Sequence, residues 1–163
     1  MDPKRFKAVL GQFLSGVTVV TAVRPDDQGA PALHGMTASA FMSVSLDPPL
    51  VVVSVQNKAH MHGHLAGGGP WAVSFLAQGH DLVSNHFAGW ESPDFTPTLA
   101  EGRFRTPVIA GALGWLDLDL QDAIEAGDHT LFLGRVVDLG LAEEPLPGPL
   151  AYFRGKYGSF TAG

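Results

Sequence analysis

The chain has 163 residues, 45% of them hydrophobic and 16% charged, with a formal net charge of -6. That length suits one domain with a sizeable core, and an acidic balance without a basic run excludes a nucleic-acid-binding surface. The absence of cysteine excludes disulfides, thiolate chemistry and Cys-ligated zinc or iron–sulfur sites.

Phe6, Val9, Leu10, Phe13 and Leu14 recur at helical spacing and predict an amphipathic helix that stops near Gly16. Val17 to Val23 is β-branched and reads as a strand, and Pro25 to Gly29 is a hairpin signal. His34 to Ser45 is expected to pair back as one second strand, broken by Asp47-Pro48-Pro49 because proline donates nothing to a ladder. Leu50 to Val55 predicts a buried strand, and His60 to Leu65 a short helix ended by Gly67-Gly68-Gly69-Pro70. A strand over Trp71 to Leu76 and a helix over Gln78 to Phe87 follow.

Glu91 to Thr106 is polar and without period, and is expected to be a long loop. Leu116, Leu118 and Leu120 alternate with Asp117, Asp119 and Gln121, which predicts a half-buried strand with both aspartates on its solvated face. Ala123 to Gly127 leads to a further strand over His129 to Leu141. Pro145, Pro147 and Pro149 then mark a loop before Leu150-Ala151-Tyr152-Phe153. Many strands, few helices and no strand–helix alternation predict a mainly β fold: an antiparallel barrel with accessory helices, as one domain over 1–163. No strand is followed by G-x-G-x-x-G, so a Rossmann site is not expected.

Low charge density is easiest to satisfy if part of the surface is buried in an oligomer, so a homodimer is expected. Met1 to Phe6 carries no apolar leader, and the apolar runs are strand-sized and interrupted. A cytoplasmic protein with no membrane span is the expectation. His60, His62 and His64 invite a metal reading, since His60 and His64 would share a helix face. Surface histidines are the better reading, and no metal is expected.

Five blocks in order resemble the short-chain flavin reductase family, the NAD(P)H-dependent partners of two-component monooxygenases. They are Gly16-Val17-Thr18-Val19-Val20-Thr21, His34-Gly35-Met36-Thr37-Ala38-Ser39-Ala40-Phe41 and Ser43-Val44-Ser45-Leu46-Asp47-Pro48-Pro49-Leu50. Then come Gly127-Asp128-His129-Thr130 with the strand to Val137, and Pro149-Leu150-Ala151-Tyr152-Phe153-Arg154-Gly155-Lys156-Tyr157-Gly158. The resemblance implies an antiparallel split β-barrel that binds FMN or FAD, takes a hydride from NADH or NADPH, and supplies reduced flavin to a partner monooxygenase.

It also implies site residues. Thr37, Ala38 and Ser39 would line the isoalloxazine and ribityl side, their hydroxyls and amides bonding the ring carbonyls and ribityl hydroxyls. Ser54, Gln56, Asn57 and Lys58 would follow, with Lys58 suited to the phosphate. Phe87 would lie near the flavin or a dimer contact. His129 would help position the nicotinamide, with Tyr152 and Arg154 at the mouth of the site and Arg154 attracting phosphates. Read as residues alone, the hydroxyls, Lys58, Arg154 and Lys156 also suit ordinary surface roles, Tyr152 suits core packing, and His129 suits a strand-end pair with Asp128. The same family likeness leaves two other functions open: a tightly FMN-bound oxidoreductase acting on ferric iron or chromate, and a non-enzymatic flavin- or haem-binding split barrel.

Overall fold

A computed structural model describes residues 1–90, 94–100, 105–143 and 147–160. Parts of the expected 91–106 loop, and Pro145, lie outside the described residues. The chain runs α1 (Pro3–Leu10), β1 (Ser15–Gly16), β2 (Thr18–Pro25), β3 (Pro31–Ala38), β4 (Phe41–Leu46), β5 (Pro49–Gln56) and α2 (His60–Ala66). It continues β6 (Trp71–Phe75), α3 (Asp81–Phe87), β7 (Gly114–Ala126), β8 (His129–Leu141), β9 (Leu150–Phe153) and β10 (Lys156–Ser159).

Seven strands form one antiparallel sheet in the order β3-β2-β6-β7-β8-β5-β4, and β1, β9 and β10 form a second. β3 and β4 are therefore opposite edges of the large sheet, yet only Ser39 and Ala40 separate them in sequence. Such short chain can join two edges only if the sheet curls until they approach. The Ser54 N–H donates to the Ala40 carbonyl at 3.0 Å and helps close that seam. The result is an antiparallel split β-barrel with accessory helices, as the resemblance implies.

The expected single strand from His34 to Ser45 is thus two. Its halves pair with different neighbours, β3 with β2 and β4 with β5, so the ladder has to break between them. The first helix also ends earlier than its apolar spacing suggests. Asp2 caps it by accepting from the Lys4 N–H at 3.0 Å, and Pro3 fits the first turn. At its end the Gln12 and Phe13 N–H groups fall back on the Val9 and Leu10 carbonyls. Ser15 and Gly16 then pair with β9, which takes the chain out of helical geometry.

Two apolar clusters form the core. One fills the barrel with Val20, Val53, Val55, Trp71, Leu118 and Phe132. The other lies under α3 and contains Val17, Val19, Leu76, Val83, Ile109 and Leu150. Val19 and Val20 are adjacent in sequence but belong to different clusters, because successive strand residues face opposite ways. β2 is buried on both faces, hence its unbroken apolar run. Gly134 is required by packing, since a Cβ there would stand 2.5 Å from the Trp71 ring.

Asp117 corrects the expectation of a solvated aspartate pair, for it is buried. A register shift at Asp117–Leu118 disturbs the alternation and turns it inward. Burial raises its carboxyl pKa, opposed by Arg105, whose guanidinium lies 3.5 Å away and also bonds Asp119 at 2.7 Å. The segment expected only to carry the chain on, Ala123 to Gly127, is mostly the end of β7. Among the described residues, no helix is long and apolar enough to cross a membrane.

Candidate active site

Beside the seam between β3 and β4, α3 and the β9–β10 hairpin enclose a cavity of about 590 Å³. That volume is within the range of small-ligand pockets, on the order of 300–1,000 Å³. Thr37 and Ser39 line it from β3 and the seam, Asn85 and Trp90 from α3 and the turn after it, and Tyr152 and Lys156 from the hairpin. Thr37 and Ser39 face the same way because they are two apart on an extended segment. Ala38 between them is buried, and its carbonyl accepts from the Thr18 hydroxyl at 2.7 Å. Ser39 also borders a second cavity of about 350 Å³ lined by Phe13, Leu14 and Phe41.

The cavity wall is braced by hydrogen bonds. The Thr37 hydroxyl donates to the Ser84 carbonyl at 2.6 Å, fastening β3 to α3. The Tyr157 hydroxyl lies 2.8 Å from the Ser84 hydroxyl and donates to Asn85 Oδ1 at 2.9 Å, fastening β10 to the same helix. Gly35 permits this arrangement, because a Cβ at that position would stand 2.2 Å from the Phe87 ring.

A second polar cluster sits at the β7–β8 turn. Gln56 is opposite His129 across the β5–β8 ladder. The Asn57 N–H donates to the Asp128 carbonyl at 3.0 Å, and Asn57 Oδ1 accepts from the Thr130 hydroxyl at 3.0 Å. That hydroxyl has given its only hydrogen to Asn57, so it accepts from His62 Nε2 at 2.9 Å. His129 Nδ1 lies 2.8 Å from Asp128 Oδ1, and this bond holds the Asp128 carboxyl below the usual carboxylate range.

The flavin reductase like domain model matches residues 10–161. The chain belongs to the flavin reductase family. It is 40% identical over 160 residues to an NADH-dependent flavin reductase of Rhodococcus sp, covering 98% of this chain and 87% of that one. It is 41% identical over 152 residues to the 4-hydroxyphenylacetate 3-monooxygenase reductase component of Thermus thermophilus, covering 93% of each. An NADH:FAD oxidoreductase of Streptomyces globisporus C-1027, solved in complex with NAD and FAD fragments, superposes with a TM-score of 0.84. Its identity is 36%, and the match covers 99% of this chain and 96% of that one.

The chemistry of the cavity fits a flavin. Aromatic rings on Trp90, Tyr152 and Tyr157 suit a flat conjugated ligand, and hydroxyl and amide groups stand along the β3 and α3 walls. Among the described residues, Lys156 is the single charged one lining it. Of the residues expected in a flavin reductase site, the structure brings Thr37, Ser39 and Tyr152 together here. Gln56, Asn57, Lys58 and His129 gather instead at the β7–β8 turn. Ser54 connects the two groups, with its N–H on Ala40 and its chain running on to Gln56.

Three expected residues are engaged elsewhere. The Thr37 hydrogen is spent on Ser84, so its hydroxyl can accept from a ligand but has no hydrogen left for a ring carbonyl. Phe87 packs over Gly35 and against the cluster under α3, and does not line the cavity. The Arg154 guanidinium binds the Gln12 side-chain oxygen and lies over the Phe153 ring, while Lys156 faces the cavity.

Ser84, Asn85, Trp90 and Tyr157 were not expected as site residues. For Tyr157 the signal in the sequence is Gly155, a turn residue between two aromatic stretches; in the structure Arg154 and Gly155 have positive φ, 50° and 76°, and make a two-residue hairpin turn. Tyr-Phe-Arg-Gly-Lys-Tyr therefore predicts a returning strand that brings Tyr157 beside Tyr152. Ser84 and Asn85 carry no such signal, because a polar pair in a short helix is commonplace. Of the histidine triplet, His64 stacks on His34 with ring centroids 3.8 Å apart, His62 binds Thr130, and His60 is exposed.

Proposed function

We propose that this chain is an NADH-dependent flavin reductase that transfers a hydride to FMN or FAD and supplies the reduced flavin to a partner monooxygenase. The observation that carries this reading is the cavity of Thr37, Ser39 and Tyr152 in a chain of the flavin reductase family, with His129 paired to the end of the strand whose Ser54 bonds the seam. Flavin supplies the electron-accepting ring, and the protein's part is to hold two flat rings at reacting distance.

In this reading Ser39 and the backbone of Thr37–Ala38–Ser39 bind the ring and ribityl chain. Ser54, Gln56, Asn57 and Lys58 run along the seam toward the phosphate, with Lys58 as its cation. His129, held by Asp128, orients the nicotinamide, and Tyr152 closes its side of the cavity. Phe87 acts from behind, by setting the distance between α3 and β3. Lys156 takes the part at the mouth that the sequence suggested for Arg154.

A homodimer completes the proposal. None of the residues of α1 is buried, and Phe6, Val9 and Leu10 along it are 49%, 63% and 55% exposed. An apolar helix face of that kind is stable in water when a second copy covers it. Sedimentation should give twice the chain mass. The need for NADH is consistent with a cytoplasmic protein.

The test is steady-state oxidation of NADH by protein stripped of flavin, with FMN, FAD or nothing added. Turnover that saturates with added flavin, and is absent without it, is expected. Absence of turnover with either flavin would overturn the reading.

A further inference from the structure

We infer that Asn85 is a ligand-binding residue of the cavity, its side-chain N–H groups donating to a carbonyl oxygen of a ring bound there. The inference rests on the flavin reductase reading and adds a residue to its site.

The argument is a count of hydrogens. A hydroxyl has one to give. Tyr157 gives its own to Asn85 Oδ1, at 2.9 Å. The contact between the Ser84 and Tyr157 hydroxyls, 2.8 Å, therefore runs from Ser84 to Tyr157. Ser84 is fully buried, so this direction is fixed inside the protein and not by water. The Thr37 hydroxyl has likewise spent its hydrogen on the Ser84 carbonyl, at 2.6 Å. Three hydroxyls on the cavity wall thus have no hydrogen left for a ligand.

The relay from Ser84 through Tyr157 ends on the oxygen of Asn85. With Oδ1 turned to Tyr157, Nδ2 keeps two hydrogens and has no partner among the described residues. Among the described side chains lining the cavity, the neutral donors that remain are Asn85 Nδ2, the Ser39 and Tyr152 hydroxyls and the Trp90 indole N–H, and of these only the Asn85 amide offers two hydrogens. Isoalloxazine carries two ring carbonyls and nicotinamide a carboxamide carbonyl. Each requires a donor when it is taken out of water. Asn85, between Trp90 and Tyr157, can meet that need where Thr37 cannot.

The test measures riboflavin binding by fluorescence titration and the KM for NADH in turnover, for wild type, Asn85→Leu, Asn85→Asp and Tyr157→Phe. Riboflavin is used because it has no phosphate, so a new carboxylate has no phosphate to repel. Asn85→Leu should weaken one ligand about tenfold, while its melting temperature falls no further than that of Tyr157→Phe, which breaks the same Tyr157–Asn85 bond. A change in the riboflavin Kd identifies a flavin carbonyl. A change in KM alone identifies the nicotinamide carboxamide. Asn85→Asp should be equally weak at neutral pH and recover as the carboxyl is protonated and becomes a donor.

If Asn85→Leu does not fold, Tyr157→Phe carries the test, with the same ligand weakened about threefold as the amide loses its anchor. Unchanged Kd and KM in a folded variant, or a loss in Asn85→Asp that is the same at every pH, overturns the inference. A wild-type protein that does not oxidise NADH with any flavin fails the functional reading itself, and the two failures are distinct.

Discussion

The cavity under α3 and the β7–β8 turn both carry hydrogen-bonded polar side chains, but these are held in different ways. In the cavity, Ser84 is fully buried, and Thr37 and Tyr157 are tied to Ser84 and Asn85 of α3 by bonds of 2.6–2.9 Å. At the turn, Thr130 is buried and pinned by His62 and Asn57, whereas Asn57, Lys58 and Asp128 are exposed. His129 itself is held by one contact to an 84% exposed aspartate. A site whose geometry is fixed before binding loses little freedom when a ring enters it. A residue held by a single solvent-exposed bond can re-orient as a ligand binds. In the proposed reading flavin and nicotinamide both exchange in each cycle, so the difference separates a preformed ring pocket from an adaptable positioning residue.

Breaking the cavity should cost most. Gly35→Val places side-chain atoms where the Phe87 ring now lies, which forces α3 away from β3. Stability should fall by about 1–3 kcal/mol, the usual range for overpacking. Flavin affinity should fall with it, as read by denaturant unfolding and flavin titration. His129→Ala tests the other side. It should lower kcat/KM for NADH roughly ten- to a hundredfold, about 1–3 kcal/mol, and leave the flavin Kd in place. A flavin Kd that moves as much as kcat/KM would erase the distinction between the two regions.

Thr37→Val sharpens the account of the cavity. It removes the bond to the Ser84 carbonyl and should cost about 1 kcal/mol of stability, while Thr37→Ser should restore most of it. The smallest effect concerns α2, which carries both His62 and His64. Burial lowers the His64 pKa, and the nearby His34, Arg24 and His60 charges lower it further. The folded protein therefore binds this proton less readily than the unfolded chain, whose value is near 6.5. The stability tied to neutral His64 is complete above that pH and is lost as pH falls below it toward the folded pKa. Melting temperature should decline on mild acidification, and His64→Phe should flatten the decline. Because α2 supports the turn through His62, turnover with NADH should decay on acidification before flavin affinity does.

The strands were legible wherever burial imposes alternation or an unbroken apolar run, as in β2, β5 and β8. The break at Ser39–Ala40 was not, because small polar residues fit a strand as well as a seam, and only the pairing of β3 and β4 with different partners decides it. The motif resemblance named Thr37, Ser39 and Tyr152, which line one cavity in the structure. Asn85 was hidden because its role depends on a tyrosine 72 residues away. Asp117 was misread for a related reason: one register shift overrides a clean alternation.

The most direct measurement is anaerobic rapid mixing of the flavin-loaded protein with NADH, following the flavin absorbance. The account predicts that the oxidised flavin bleaches in a single turnover, with the rate reduced in His129→Ala and the flavin still bound. Flavin that binds but stays oxidised in excess NADH would contradict it.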